Sequence, residues 1–376
     1  MIFGCGDRRH IETYAEVVAD KKRTKAAIKA NSGLEFIRYI HKEKTLKKLI
    51  TVITAALVAL TIPFTFAACG GKDKHTIRIN EVTHSIFYAP LYLADALGYF
   101  KDEGYNITLT NGGGADATMA AVLSGSADVG FCGPEAAIYV NKGGSDDAPK
   151  VFGQLTKRDG SFLVGRKAEP DFKWSDLNGK EILAGRKGGV PAMTFEYVVK
   201  SGNIDCKLNY DVAFNMMTPA FESGIADYCT MFEPTASEYQ AQGKGYIVAS
   251  VGQESGEIPY TCFMAKQSYL KKNSEAVEVL LRAVTKAVKY INTTDSDTVA
   301  GYLTSYFDGT SRASIKTSVE SYKAIDAWVT NMAMKEDAFN KLQDVIDLAG
   351  ELNGRVKFGD VVVTETAQRI YEEIYK

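Results

Sequence analysis

From residue 75 onward the chain changes period again and again. Residues 76–82 (TIRINEV) alternate apolar and polar side chains, the pattern of a half-buried strand. Residues 90–97 read as a helix, with Pro90 in its first turn and Gly98 as its stop. Strand-like runs then occupy 105–110, 128–131 and 151–155, separated by helices at 115–123 and 135–140. The pattern restarts with strands at 181–184, 208–212 and 228–232 and helices at 192–200 and 218–222. Two more strands are predicted at 246–251 and 260–264. Short strands alternating with short helices predict an α/β protein with a mostly parallel sheet covered on both faces.

Beyond residue 268 only helical periods remain. Residues 275–290 carry apolar side chains at 277, 280, 281, 284, 287 and 288, one helical stripe. Helices at 313–329, 336–348 and 364–375 continue the series, a tail long enough to wrap back onto the first half.

One internal echo stands out. Leu123-Ser-Gly-Ser-Ala-Asp128 and Phe221-Glu-Ser-Gly-Ile-Ala-Asp227 both end a helix on Ser-Gly and begin a strand on Ala-Asp. Each strand runs into an acidic residue beside a proline, Gly133-Pro134-Glu135 and Phe232-Glu233-Pro234. Two equivalent βα units predict two similar lobes.

Upstream the longest apolar run spans residues 49–68 (LITVITAALVALTIPFTFAA), preceded by Lys42, Lys44, Lys47 and Lys48 and followed by Cys69. A basic stretch, an apolar stretch and small residues before a cut site form an export signal. Ala67-Ala68-Cys69 resembles a bacterial lipobox, with Phe66 where leucine is usual, and implies lipidation of Cys69. Twenty residues are also long enough for an uncleaved membrane anchor. Forty mixed residues ahead of an export signal are unusual, so translation is expected to begin nearer Leu46.

Charge narrows the partners. Residues 1–68 hold 12 Lys and Arg against 6 Asp and Glu, leaving 32 of the 44 basic and 40 of the 46 acidic groups in the body. An acidic body repels phosphate backbones, so nucleic-acid binding is not expected. The six cysteines form no C-x-x-C pair, and with four histidines no metal site, cofactor or catalytic residue is expected. Cysteines 132, 206, 229 and 262 lie in apolar stretches and are expected as buried thiols.

Residues 93–110 (LADALGYFKDEGYNITLT), the S-G-x-A-D echo and residues 176–191 (DLNGKEILAGRKGGVP) together resemble the nitrate/sulfonate/taurine and thiamine-pyrimidine (NMT1/THI5-like, SsuA/TauA-like) substrate-binding proteins. The resemblance covers about residues 75–290. It implies a type II periplasmic-binding-protein fold: two α/β lobes joined by two crossing strands, with a helical C-terminal region packed on lobe one. The expected division is 1–45 as an over-called start or disordered segment, 46–68 as the lipoprotein signal peptide, 69–158 as lobe one, 159–264 as lobe two, and 265–376 as the mainly helical return to lobe one. The chain would leave lobe one near Arg158 and return near Ala265.

The implied function is the extracytoplasmic, membrane-anchored solute-binding component of an ABC importer. Its expected partners are a small-molecule solute, a permease and an ATPase, the latter a separate subunit because no G-x-x-x-x-G-K-[ST] loop occurs here. A monomer is expected. The fungal relatives are enzymes that use an active-site histidine and a cysteine-rich motif. No cysteine cluster occurs here, so an enzyme is not expected. A ligand-sensing lipoprotein without a transporter is the further alternative.

The ligand should sit where strand ends and helix starts converge. Candidates are His84 and Tyr88 after the first strand, Gly113 in a triple-glycine loop, and Glu135 at a helix start. In the second lobe they are Arg186, Gly188 and Gly189 ahead of a helix, and Glu233. Glu135 and Glu233 also suit helix starts, where a carboxylate meets the positive end of the dipole. Arg158 and Asp159 mark the crossover, where an ion pair would be as much structural as functional. The carboxylates favour a heteroaromatic amine such as a thiamine-related pyrimidine. Arg186 with the glycine loops favours an anion such as a sulfonate, taurine or nitrate.

Overall fold

In the computed structural model, which describes residues 75–376, the strands divide between two sheets of matching design. The expected signal segment 46–68, Cys69 and residues 1–45 lie outside the described residues. No helix among the described residues is long and apolar enough to cross a membrane.

The first sheet is built from β1 (Thr76–Glu81), β2 (Asn106–Asn111), β3 (Val129–Cys132), β4 (Pro149–Thr156) and, last in the chain, β10 (Thr261–Lys266). Its order is β2-β1-β3-β10-β4. The second holds β5 (Ser161–Gly165), β6 (Glu181–Leu183), β7 (Lys207–Leu208), β8 (Tyr228–Phe232) and β9 (Tyr246–Ser250), in the order β7-β6-β8-β5-β9. In each sheet four strands run the same way, and the fourth in the order is antiparallel to both its neighbours. That fourth strand is the one that has just crossed from the other lobe. The crossing segments, 157–160 and 256–260, run side by side: the Ile258 N–H donates to the Lys157 carbonyl at 2.8 Å and the Tyr260 N–H to the Thr156 carbonyl at 3.1 Å.

The helices follow the strands. Lobe one has α1 (Ala89–Ala96), α2 (Ala115–Ser124) and α3 (Glu135–Lys142). Lobe two has α4 (Val190–Ser201), α5 (Met217–Glu222), α6 (Thr235–Ala241) and α7 (Val251–Ser255). The tail adds α8 (Gln267–Lys272), α9 (Ser274–Thr293), α10 (Ser296–Leu303), α11 (Arg312–Ala324), α12 (Glu336–Leu348), α13 (Phe358–Val361) and α14 (Glu365–Tyr375).

The α9 stripe behaves as its period requires. Leu280, Leu281, Val284, Val288 and Ile291 are fully buried, and the helix packs on α1 and α14. Each such side chain contributes about 1.5–3 kcal/mol by leaving water, so the tail is anchored on lobe one. It also reaches lobe two, where α11 meets α6 and α12 meets α4. Several of those links are polar: Lys200 Nζ donates to the Leu348 carbonyl at 2.8 Å, and Lys341 Nζ to the Ser255 carbonyl at 2.9 Å.

The Ser-Gly-x-Ala-Asp echo is a shared lock. In lobe one the Arg78 N–H donates to Asp128 Oδ2 at 3.1 Å while the Asp128 N–H donates to the Arg78 carbonyl. In lobe two the Glu181 N–H donates to Asp227 Oδ2 at 2.9 Å, and the Asp227 N–H returns to the Glu181 carbonyl. Gly125 and Gly224 end the preceding helices at φ of 76° and 100°, where glycine avoids the Cβ penalty.

Some elements differ from expectation. β5 carries no strand signal in the alternation because all five residues are buried, and a strand covered on both faces shows no alternation. The expected strand 208–212 reduces to the edge pair Lys207–Leu208. The helix expected to reach 329 stops at Ala324, because Ala327 and Val329 pair with the edge of β4 instead: the Lys157 N–H donates to Ala327, and the Val329 N–H to Leu155. Cys132, Cys229 and Cys262 are buried thiols, whereas Cys206 is half-buried.

Candidate ligand-binding cleft

The two lobes meet over an aromatic floor. Ser85 caps the short 3-10 turn Ile86–Tyr88, its hydroxyl accepting from the Phe87 N–H, and so turns two rings inward. Phe87 is the hub, with ring centres 5.6 Å from Tyr88, 5.9 Å from Phe232, 5.7 Å from Tyr260 and 5.0 Å from Tyr322. Gly160, on the first crossing segment, leaves room for it: a Cβ there would come 2.6 Å from the Phe87 ring. Tyr88 stands edge-on to Phe131, and its hydroxyl shares a hydrogen bond with Thr261. Burial raises the Tyr88 phenol above its usual pKa.

Against this floor lies a cluster of buried polar groups. Glu135, 3% exposed, starts α3. Backbone N–H groups of its own helix start, and that of Val190 at the start of α4 in the other lobe, favour its charge. Its Oε2 has no partner. Burial outweighs those N–H groups and pushes the carboxyl up to about 7. The carboxylate folds over Gly133, where a Cβ would come 2.0 Å from Oε2.

Asp159, 0% exposed, lies on the first crossing segment. Its Oδ1 accepts from the Ser161 N–H and from the Ser161 hydroxyl, both at 2.6 Å. Burial pushes this carboxyl too up to about 7. Tyr260, on the second crossing segment, has a buried hydroxyl. That hydroxyl shares a hydrogen bond with Asp159, to which it donates, and its own pKa is raised by burial, then by Asp159, Tyr88 and Glu135. The four groups therefore share one neighbourhood. A buried polar group without a partner costs about 1–3 kcal/mol, and such clusters mark places where a partner arrives.

The other sequence candidates stand elsewhere or are already engaged. His84 is held by Glu81 through Nδ1 and by the Tyr306 carbonyl through Nε2, each at 2.7 Å, and the Glu81 bond raises its pKa. Gly113 is exposed, and its N–H donates to Asn111 Oδ1 at 2.8 Å. Arg186 faces Asp116 of lobe one at 3.3 Å, the two side chains 63% and 65% exposed, so this pair spans the outer rim. The Gly188 carbonyl accepts from the Tyr139 hydroxyl at 3.4 Å, again across the lobes. The Gly189 N–H turns back to the Arg186 carbonyl at 3.1 Å. Glu233 is buried, but Ser237 occupies both its oxygens, the N–H on Oε2 at 3.0 Å and the hydroxyl on Oε1 at 2.7 Å. It fills the helix-start role.

Arg158 leans away from Asp159, toward Glu257 at 3.6 Å, so the two form no ion pair with each other. Asp159 and Tyr260 are the residues that sequence reasoning undervalued. The Asp-x-Ser spacing of an Asx turn is legible at 159–161, but the contact with Tyr260 is not. A surface hollow of about 530 Å³ on lobe two, lined by Arg166, Asp171 and Lys180 among others, contains none of these groups. Among the described residues no cluster of His, Cys, Asp and Glu is arranged to hold a metal ion.

Comparison with known proteins agrees with the two-lobed architecture. The chain matches the family described as NMT1/THI5 like over residues 86–295. It is 39% identical over 324 residues to the Bacillus subtilis (strain 168) protein named "Putative binding protein YtlA", covering 85% of this chain and 97% of that one. It is 26% identical to the 4-amino-5-hydroxymethyl-2-methylpyrimidine phosphate synthase of Aspergillus parasiticus, over 58% of this chain and 67% of the fungal protein. Among solved structures it is similar to the alkanesulfonate-binding protein SsuA of Xanthomonas axonopodis pv. citri bound to MOPS, with a TM-score of 0.62 at 18% identity, over 77% of this chain and 98% of that one. The fold is the two-lobed α/β arrangement of the periplasmic binding proteins.

Proposed function

Because the chain belongs to the NMT1/THI5-like family, we propose that it is the extracytoplasmic solute-binding component of an ABC importer. It captures a small heteroaromatic solute, of the thiamine-related pyrimidine kind, between its lobes. The observation that carries this reading is the buried polar cluster of Glu135, whose Oε2 has no partner, with Asp159 and Tyr260, contributed by lobe one and by both crossing segments. A solute that pairs with them bridges lobe one and both crossing segments, where the angle between the lobes is set, and lobe closure is what a permease can read. The cluster is acidic, and Arg186 is spent on the exposed rim, which favours a solute with N–H donors over an anion such as a sulfonate. Binding rather than catalysis fits a site whose cysteines are held as protonated thiols by burial. The protein acts as a monomer, held to the outer membrane face by lipid on Cys69. Replacing Cys69 by Ala should release it from the membrane fraction; retention there would remove the anchor.

Thermal melting tests the capture step. Thiamine, aminopyrimidines and riboflavin form one panel; taurine, alkylsulfonates and nitrate form the other. At a hundred times its Kd, a cleft ligand adds about 2.7 kcal/mol of stability. A rise in Tm with the first panel alone is expected. A rise with the second alone would overturn the ligand class, and no rise with either would overturn solute capture.

A further inference from the structure

His84 stands on the loop between β1 and the Ile86–Tyr88 turn, and both of its ring nitrogens face oxygens. Nδ1 is 2.7 Å from Glu81 Oε1, and Nε2 is 2.7 Å from the Tyr306 carbonyl oxygen. A carboxylate and a carbonyl only accept, so each contact needs an N–H from the ring. Neutral imidazole has one N–H; only imidazolium has two. The surroundings favour the charged ring. Glu81 is 2% exposed, and among the described residues His84 is the one cation that pairs with it. A buried carboxylate without a counter-charge is costly. The second Glu81 oxygen, Oε2, accepts from the Tyr92 hydroxyl at 2.5 Å, so Glu81 is an acceptor at both ends. The imidazole also lies against two aromatic rings, with centres 4.8 Å from Tyr92 and 4.7 Å from Phe307, close enough to attract a cation. The Glu81 hydrogen bond raises the His84 pKa against the desolvation that lowers it.

These contacts join distant parts of the chain. Glu81 ends β1, Tyr92 is on α1, and Tyr306 belongs to the tail, 222 residues beyond His84. The Tyr306 hydroxyl is anchored separately, donating to Asp95 Oδ2 of α1 at 2.6 Å. The loop that carries His84 leads into the turn that presents Phe87 and Tyr88, and the N–H of its cap, Ser85, donates to the Tyr92 hydroxyl oxygen at 3.4 Å. We propose that His84 is a pH-sensitive positioning residue: as imidazolium it donates Nδ1–H to Glu81 and Nε2–H to the Tyr306 carbonyl, clasping the turn under the cleft floor to the C-terminal tail. Loss of one proton leaves one acceptor facing a nitrogen lone pair. The clasp then opens on the tail side, because the Glu81 charge keeps the remaining N–H. The titratable groups around the ring are Glu81 of β1, Tyr92 of α1 and Tyr306 of the tail, with Asp95 behind Tyr306, and none of them is a cation that could replace it. Folding raises this pKa above its ordinary 6.5, so the stabilisation is fully present below that value and is lost as pH rises through the folded one. The device goes beyond solute capture and operates without a solute.

Nitrogen-15 NMR titration of the imidazole tests it. A full-length chain with His10, His41 and His75 replaced by Gln keeps His84 as its one imidazole. His84 should titrate above 6.5, with both ring nitrogens protonated at pH 6. Adding Glu81→Gln should bring the titration down. Hydrogen exchange read by mass spectrometry follows the clasp itself in the native chain. After correction for the intrinsic pH dependence of exchange, the amides of residues 304–310 should exchange about tenfold faster above the transition than below it, the loss of one charge-assisted hydrogen bond. His84→Gln should exchange at the faster rate at every pH. A ring that titrates at or below 6.5 would overturn the proposal. So would protection of residues 304–310 that does not change with pH in the native chain, or that is the same in His84→Gln as in the native chain at pH 6. If His84→Gln does not fold, the titration and the native exchange profile decide between these outcomes. The melting panels for solute capture are run at one pH, so failure of the clasp leaves that reading as it stands.

Discussion

After the matched strands β3 and β8 each lobe places a glutamate beside a proline, and they use it in opposite ways. In lobe two, Glu233 precedes Pro234, and Ser237 takes both carboxylate oxygens, so the group serves α6. In lobe one the order is reversed: Glu135 follows Pro134, starts α3 and folds over Gly133, and one oxygen stays unpaired in the lobe junction. Duplicated architecture therefore does not duplicate chemistry. A shift of two positions relative to the proline turns a helix cap into a candidate ligand contact. The Asp128 and Asp227 locks diverge more mildly. Both bind the backbone of the first strand, but Asp128 also holds the Arg78 guanidinium at 2.6 Å.

The largest effect expected from this contrast is on pH dependence. Glu135 titrates in the fold near 7 instead of near 4.5, and Asp159 near 7 instead of near 3.8. The folded state then holds more protons than the unfolded chain between those values. Their contribution is fully present below the ordinary carboxylate range and is lost as pH rises toward 7, on the order of 3 kcal/mol for each. Urea unfolding of the ligand-free chain should show stability falling from pH 5 to pH 8. Glu135→Gln should flatten part of that fall. A flat native profile would break the contrast.

Next in size is the lock. Asp128→Ala should cost about 2 kcal/mol, because the Arg78 guanidinium loses its carboxylate and keeps only the Gly125 and Ser126 carbonyls. Asp227→Ala should cost about 1–1.5 kcal/mol, the loss of a backbone hydrogen bond. Equal midpoint shifts in urea would mean that the guanidinium contributes nothing.

Glu233→Ala should cost about 1 kcal/mol as a lost helix cap and leave solute affinity within twofold. Glu135→Ala should weaken an amine ligand tenfold or more, measured by calorimetry. The smallest effect is at the rim: Arg186→Ala should change stability by less than about 1 kcal/mol, as exposed ion pairs do. A large loss there would move the ligand site toward the glycine loops.

Much of the fold was legible because its signals are local. Alternation in β1, the glycine stops of α2 and α5 and the apolar stripe of α9 each depend on residues a few positions apart. Glu233 was left between a ligand contact and a helix start, and only the structure places Ser237 on both its oxygens. β5 was not, because a fully buried strand shows no period, and the end of α11 was not, because its residues were taken by the edge of β4.

The sequence by itself determined the two-lobed design, since the Ser-Gly-x-Ala-Asp echo needs only a helix stop and a strand start. Tertiary structure alone decided which acidic groups remain unsatisfied. Arg158 turns from Asp159 to Glu257, which leaves Asp159 to Ser161 and Tyr260, and Glu135 keeps an unpaired Oε2 at the lobe junction although N–H groups of its own helix start and of Val190 lie beside the carboxylate. Unsatisfied valence is a property of a whole neighbourhood, and the chain assembles that neighbourhood only when both crossing segments are in place.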